Sequence, residues 1–398
     1  MPKATSSLLL ILAAATGALA QSFSSGSTGA DGAFACAQGT TVQLPPSGIL
    51  NYTTVNVASG CGLQFSPNVT NTPVTMLATG AVTIAGTVLL NSQSSCVAPG
   101  PGGFYGGAPG QNGVGPGGGV YGRSDGTQNG RWVGSLSLVP IIGGSGGAGS
   151  VYVNGGGGGG AIVIASSASI TVSGNIQTSG CFNGGADSGA NGAIRLVSNS
   201  INVSGQLGYA SVVRLEGPAG GVFYSGSGTA PVIAPINPVI IPVNPPSISI
   251  TSIGGYAAPS ATTASFKTID LLLPTQLPDP IAVIVQGTNL PAGAQVALSF
   301  SGSQATTSPA TAALSGSSSA TFYVSGLSRT TVTVIFAVVS FNAALVASNL
   351  KQSGPDAVAK VELAAAKGGP TKYRFLRADG SEVALAKVAP ELKRIFGM

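Results

Sequence analysis

The chain has 398 residues, 61 of them glycine and 26 proline; 43% are hydrophobic and only 7% charged. That is enough apolar material for a sizeable core over two or three domains, and it excludes an ordinary helical protein, because the residues between apolar positions are Ser, Thr, Asn and Gly rather than Lys and Glu. The net charge of +5 resides in Lys3 and the last 48 residues, while six basic and six acidic residues cancel between Gln21 and Leu350. A neutral body excludes nucleic-acid binding, which rests on clustered Lys and Arg facing phosphates.

Lys3, the apolar stretch Leu8 to Ala15 and the small residues Ala18-Leu19-Ala20 predict a signal peptide over residues 1–20, leaving Gln21 first. The apolar run is too short to span a bilayer, and the other apolar stretch, Thr331 to Ala347, is β-branched and interrupted by Ser340 and Asn342, so no transmembrane segment is expected beyond the leader. The expected location is secreted, extracellular or at the cell surface.

Residues 21–228 are predicted to form a glycine-rich β-solenoid. After a Ser/Gly stretch expected to be loose, NYTTVNVASGCGLQF (Asn51–Phe65) reads as a degenerate rung that caps the stack. Three fuller copies follow. Thr72 to Val88 places apolar residues at Val74, Met76, Val82, Ile84 and Val88; Gly160 to Ile176 places them at Ile162, Ile164, Ile170, Val172 and Ile176; Gly192 to Leu207 places them at Ile194, Leu196, Ile201, Val203 and Leu207. Each copy reads as two short strands of period two with a glycine corner at Gly86, Gly174 or Gly205. A unit of this size cannot bury one apolar face alone, so the copies must stack as a parallel β-solenoid. Phrases such as GGGGGGAIVIAS and ITVSGNI resemble the glycine-rich rungs of large secreted bacterial proteins of unknown role. That resemblance implies a fold and an extracellular setting.

Between the first two fuller copies lies an insertion, residues 97–159, closing on the run Gly155 to Gly160. One reading makes it a surface loop in which glycine serves turns and close backbone packing. The other makes it a glycan-binding surface, with the aromatics Phe104, Tyr105, Tyr121 and Trp132 stacking on sugar rings and Arg123 and Arg131 supplying hydrogen-bond forks. The glycine run is not a phosphate loop, since it lacks the Lys-Ser/Thr ending and leads into a strand.

Residues 229–247 are proline-rich and read as a semi-stiff linker. Residues 248–350 carry longer strands punctuated by Gly, Pro and Asn, which predicts an antiparallel β-sandwich. VQGTNLPAGAQVALSF (Val285–Phe300) resembles bacterial immunoglobulin-like modules, which implies a class of module and no ligand. The charged C-terminal segment, 351–398, is expected to hold strands, a hairpin signal at Asp379-Gly380 and a short helix at PELKRIF.

Four cysteines in an exported chain suggest two disulfides. Cys96 and Cys181 each follow a repeat copy closely and should meet at stacked corners, leaving Cys36 to pair with Cys61. With no histidine in the chain, the usual Ser-His-Asp, Cys-His and zinc-water sites have no base or ligand. No catalytic residue, metal or cofactor is assigned. The expectation is a non-enzymatic structural or adhesive protein whose partners are extracellular glycan or cell-surface components, with self-association as a further expectation. The alternatives are a glycan-binding module on the insertion, and a polysaccharide lyase or hydrolase on the solenoid, which would require two acids in one groove with Arg195 or Arg214 converging on Asp187 or Glu216.

Overall fold

The computed structural model describes residues 23–340, except 94, 124, 183, 185, 242–246, 260–268, 302 and 304, together with the strands at 360–364 and 372–376. The signal-peptide segment, Asp379-Gly380 and the PELKRIF segment lie outside the described residues.

Alternating aliphatics form a three-sided parallel solenoid of six rungs. The first rung is β1 (Ala33–Cys36), β2 (Thr40–Gln43) and β3 (Ile49–Tyr52), and the second is β4 (Thr54–Val57), β5 (Gly62–Ser66) and β6 (Val74–Ala78). The third is β7 (Val82–Ile84), β8 (Thr87–Leu89) and β9 (Ala161–Ser166), and the fourth is β10 (Ile170–Val172), β11 (Asn175–Gln177) and β12 (Gly192–Ser198). The last two are β13 (Ile201–Val203), β14 (Gln206–Gly208) and β15 (Ala210–Glu216), then β16 (Val222–Tyr224), β17 (Ser227–Gly228) and β18 (Val232–Ala234). Corresponding strands stack into three sheets, A beginning with β1, B with β2 and C with β3.

Register proves the repeat. Val55, Val82, Ile170, Ile201 and Val222 are successive partners along sheet A, and Leu63, Val88, Ile176 and Leu207 along sheet B. On sheet C the column runs Leu50, Met76, Ile164, Leu196, Leu215 and Ile233. Up to Val222, Leu207 and Leu215 these columns line one continuous core, in which each fully buried aliphatic contributes about 1.5–3 kcal/mol. The expectation of two strands per copy is corrected to three strands per rung. Val88, Ile176 and Leu207 lie on separate three-residue strands, too short to show alternation. The expected cap at Asn51 is also corrected: Val55 and Val57 belong to an ordinary second rung, and a first rung precedes it.

The glycine corners stack on one another. The amides of Gly86, Gly174 and Gly205 donate to the carbonyls of Val57, Ile84 and Val172 at 2.9–3.0 Å, and a Cβ on Gly174 would run into the carbonyl of Gly86. Close approach, not a left-handed backbone, is what demands glycine there.

Sheet C differs from the other two because both its faces are covered, which is why AIVIAS and GAIRLVS are buried at every position. Trp132, Leu138 and Ile141 of the insertion and Ile240 of the linker pack on Ala161, Val163 and Ala193. Phe23 packs on Leu77, Ala165 and Val197. The stretch after Phe23, expected to be loose, is a strap along the rungs: Ser25 bonds Ser167 and the Ala78 carbonyl, and Ser27 the Tyr52 carbonyl. The solenoid also runs past Gly228, because β18 pairs with β15 inside the proline-rich stretch.

Beyond the linker, β19 (Ser247–Ile253), β20 (Tyr256–Ala257), β21 (Ile281–Thr288), β22 (Leu290–Ser301), β23 (Thr306–Ser308), β24 (Ala312–Gly316), β25 (Ser319–Ser325) and β26 (Val334–Ser340) form two antiparallel sheets, ordered β20-β19-β21-β25-β23 and β24-β22-β26. Val283, Val285, Phe322 and Val324 of one sheet share a core with Ala294, Val296, Leu298 and Leu314 of the other, a β-sandwich. β27 (Lys360–Ala364) and β28 (Lys372–Leu376) pair antiparallel.

Gly174→Ala should therefore destabilise the solenoid by about 1–3 kcal/mol. Ser173→Ala, at the exposed neighbouring position, should change little, as thermal melts of the two variants would show.

Candidate functional site

Two places concentrate polar chemistry on the solenoid. The first is on the outer face of sheet C, where Arg195 and Arg214 are register partners and Glu216 sits two residues along, opposite Val197. Glu216 accepts from Arg195 through Nε at 3.1 Å and a terminal nitrogen at 2.9 Å, from Arg214 Nε at 2.6 Å, and from the Asn237 amide at 2.8 Å. Arg195 also donates to the carbonyls of Val239 and Asn237, and Arg214 to that of Leu136. Arg195 and Glu216 are 0% exposed and Arg214 5%.

These side chains point away from the core, as their places between inward aliphatics predict, but they do not reach solvent, because the 236–240 segment and the insertion lie over them. Both arginines converge on Glu216 and neither is hydrogen-bonded to Asp187. Two guanidinium groups around one carboxylate leave an excess positive charge, which the three backbone carbonyls offset. Such a cluster depends on its carboxylate, since removing it would strand two buried cations. It inverts the arrangement a glycosidase needs, having one acid between two arginines rather than two acids flanking a bond.

The second place is the insertion, which is a packed body rather than a surface loop. Gly155 and Gly158 donate to the carbonyls of Gly107 and Phe104, Gly156 and Gly159 to those of Asp187 and Ala190, and Gly157 and Gly160 to those of Cys96 and Leu90, all at 2.7–2.9 Å. The acceptor segment thus recurs every three residues. That is the turn of a polyproline-II helix, whose backbone groups all point outward to neighbours. The same run accepts from Gly147 and Gly144, so it is the central rod of a bundle of extended segments. A Cβ on Gly156, Gly158 or Gly159 would strike the carbonyl of Cys181, Gly144 or Thr178. Sequence reasoning recognised the close packing without its threefold order.

Both disulfides form as expected, Cys36–Cys61 with Cα atoms 5.9 Å apart and Cys96–Cys181 at 5.3 Å. The second clamps two segments of the bundle on either side of Gly157, which bonds Cys96 and Cys181 in turn.

The four candidate glycan contacts divide into two pairs. Arg131 and Trp132 line one open depression of about 470 Å³ with Gly130, Gly189, Ala190, Asn191 and Ser211. Arg131 is exposed, whereas the Trp132 indole is half-buried against sheet C with its N–H on the Ile142 carbonyl. Tyr121 and Arg123 lie instead in an exposed turn, where the Tyr121 amide donates to Asn112. Near that turn Gly110 bonds the Ser150 carbonyl and Gly149 that of Gln111, which brings the 149–153 turn alongside. Tyr152 in it is 88% exposed, and Phe182, just past the clamped Cys181, is 69% exposed. Sequence reasoning passed over both. Burial pushes the Asp187 carboxyl above the usual carboxylate range, while its carbonyl serves the bundle. Among the described residues no cluster of three or more metal-ligating side chains occurs, and no helix is long and apolar enough to cross a membrane.

Compared with protein-family models, curated proteins and solved structures, the chain matches none.

Glu216→Ala should cost about 3–5 kcal/mol, read from denaturant unfolding. Glu216→Leu combined with Arg195→Met and Arg214→Met should recover most of it. By loop-closure entropy, losing Cys96–Cys181, with its sequence separation of 85, should cost about 1 kcal/mol more than losing Cys36–Cys61 with its separation of 25. Paired Cys→Ser variants measure the difference.

Proposed function

We propose that this chain is an exported structural or adhesive protein that works through contact surfaces and carries out no bond chemistry. The observation that carries the reading is the presentation of Tyr121, Tyr152 and Phe182 to solvent on turns of a hydrogen-bonded, disulfide-clamped bundle. Rigid aromatics on a fixed support lose little conformational entropy on binding, which suits adhesion to a cell-surface or extracellular partner. The signal-peptide pattern and the two disulfides support an oxidising, extracellular setting. The solenoid and sandwich would then be a stiff support and a spacer, the latter akin to bacterial immunoglobulin-like modules.

A second reading is favoured by one specific observation, the depression beside Arg131 and Trp132, where a guanidinium, an indole edge, Asn191 and Ser211 could together hold a sugar. Oligosaccharides offered to the folded protein should bind there in the millimolar to micromolar range, with loss of about tenfold or more in Arg131→Ala.

The adhesive reading is tested with labelled protein on whole cells and on isolated surface polysaccharide. Retention should fall in the Tyr121→Ser, Tyr152→Ser, Phe182→Ser triple variant while its melting temperature stays unchanged. Equal retention of wild type and triple variant would remove the basis for it.

A further inference from the structure

The solenoid's two ends are built alike. At the first rung Phe34 and Val42 are only half-buried against the core, and at the last rung Val222 and Tyr224 are. Ile233 continues the column of Leu196 and Leu215, both 0% exposed, yet is itself 57% exposed. The column simply stops, and among the described residues nothing closes it.

Backbone groups at both ends are unspent as well. β1 and β2, like β16, β17 and β18, pair on one side only. The carbonyls of Gly32, just before β1, and of Cys36, at its end, accept from Thr53 and Ala58 on either side of β4. Bonding direction alternates along a strand, so the N–H and C=O of Ala33 and Ala35 face away from the stack. Among the described residues only β3 is closed, by Asp31, whose amide donates to the Asn51 carbonyl and whose carboxylate accepts from the Asn51 amide. Exposed edges are normally blunted with charge, Lys above all, or with proline. Here β1, β2, β16 and β17 read AFAC, TTVQ, VFY and SG, with neither a charged residue nor a proline among them, whereas β18, VIA, lies between Pro231 and Pro235.

We propose that the two ends bind each other, so that copies of this chain stack head to tail. Rung-to-rung pairing inside the molecule is parallel and always in the same sense. On sheets A and B the last rung of one copy therefore offers the first rung of another the same strand direction and column positions that the fifth rung offers the sixth. β16 and β17 would pair with β1 and β2, and Ile233, Val222 and Tyr224 would be covered. Such a contact is heterologous and does not close, so it builds an open rod rather than a dimer.

The test is sedimentation velocity on the mature chain across the micromolar to millimolar range. Wild type should show an open series of oligomers growing with concentration. Ala35→Lys at one end and Ile233→Lys at the other, both exposed positions, should each sediment as monomer with unchanged circular dichroism. Thr41→Lys, exposed on β2, replaces the first variant should it misfold. Mixing the two monomeric variants should give dimer and nothing larger, because only one intact pair of ends remains. A wild type monomeric throughout, association that survives either substitution, or a mixture that stays monomeric would each overturn the proposal.

Discussion

A rung of this solenoid cannot exist by itself. Its strands are as short as two residues, its inward face holds a few aliphatics, and its strand amides find their backbone partners in neighbouring rungs. Everything is supplied by the neighbour above and below, through parallel ladders that keep valine on valine and isoleucine on leucine. One consequence is that glycine marks the places where neighbours come nearest. The stacked corners at Gly86, Gly174 and Gly205 and the central glycine rod obey the same rule, that a backbone may approach another backbone only where no Cβ intervenes.

The insertion extends this logic from sheets to rods. It leaves the solenoid after β8, builds a bundle whose segments bond each other in three directions, and returns through the glycine run straight into β9. The middle strands of sheet C, lying beneath part of the insertion, the linker and the N-terminal strap, are buried on both faces, and the sheet tolerates the concentrated ionic cluster of Arg195, Arg214 and Glu216. Arg195, Glu216 and Arg214 are best understood as the fastening that holds the 236–240 segment and Leu136 against that sheet, and so help fix where the bundle stands.

Much of this was legible in the sequence. The aliphatic columns from Val82, Ile84 and Val88 through Ile201, Val203 and Leu207 follow from period two plus a recurring glycine, and the disulfide pairing follows from the placing of Cys96 and Cys181 after successive copies. The third strand of each rung was hidden because a single inward residue has no periodicity. β18 was hidden by the prolines around it, which forbid an interior strand but permit an edge. The threefold bonding of the glycine rod leaves no trace in a run of identical residues. That Glu216 would lie beneath Asn237 depends on where the linker turns, which no local pattern encodes. For the candidate surface, Tyr121 and Trp132 were conspicuous as aromatics among glycine, but the sequence could not tell that Trp132 packs inward while Tyr152 and Phe182 face water.

The account stands on the insertion being a packed, hydrogen-bonded body, for only then are its aromatic turns held in place. Amide hydrogen exchange of residues 155–160 measures this directly. The account predicts protection comparable to that of the β9 and β12 amides, because each of these glycine amides is bonded to another segment. Exchange at the rate of an unstructured glycine chain would contradict it.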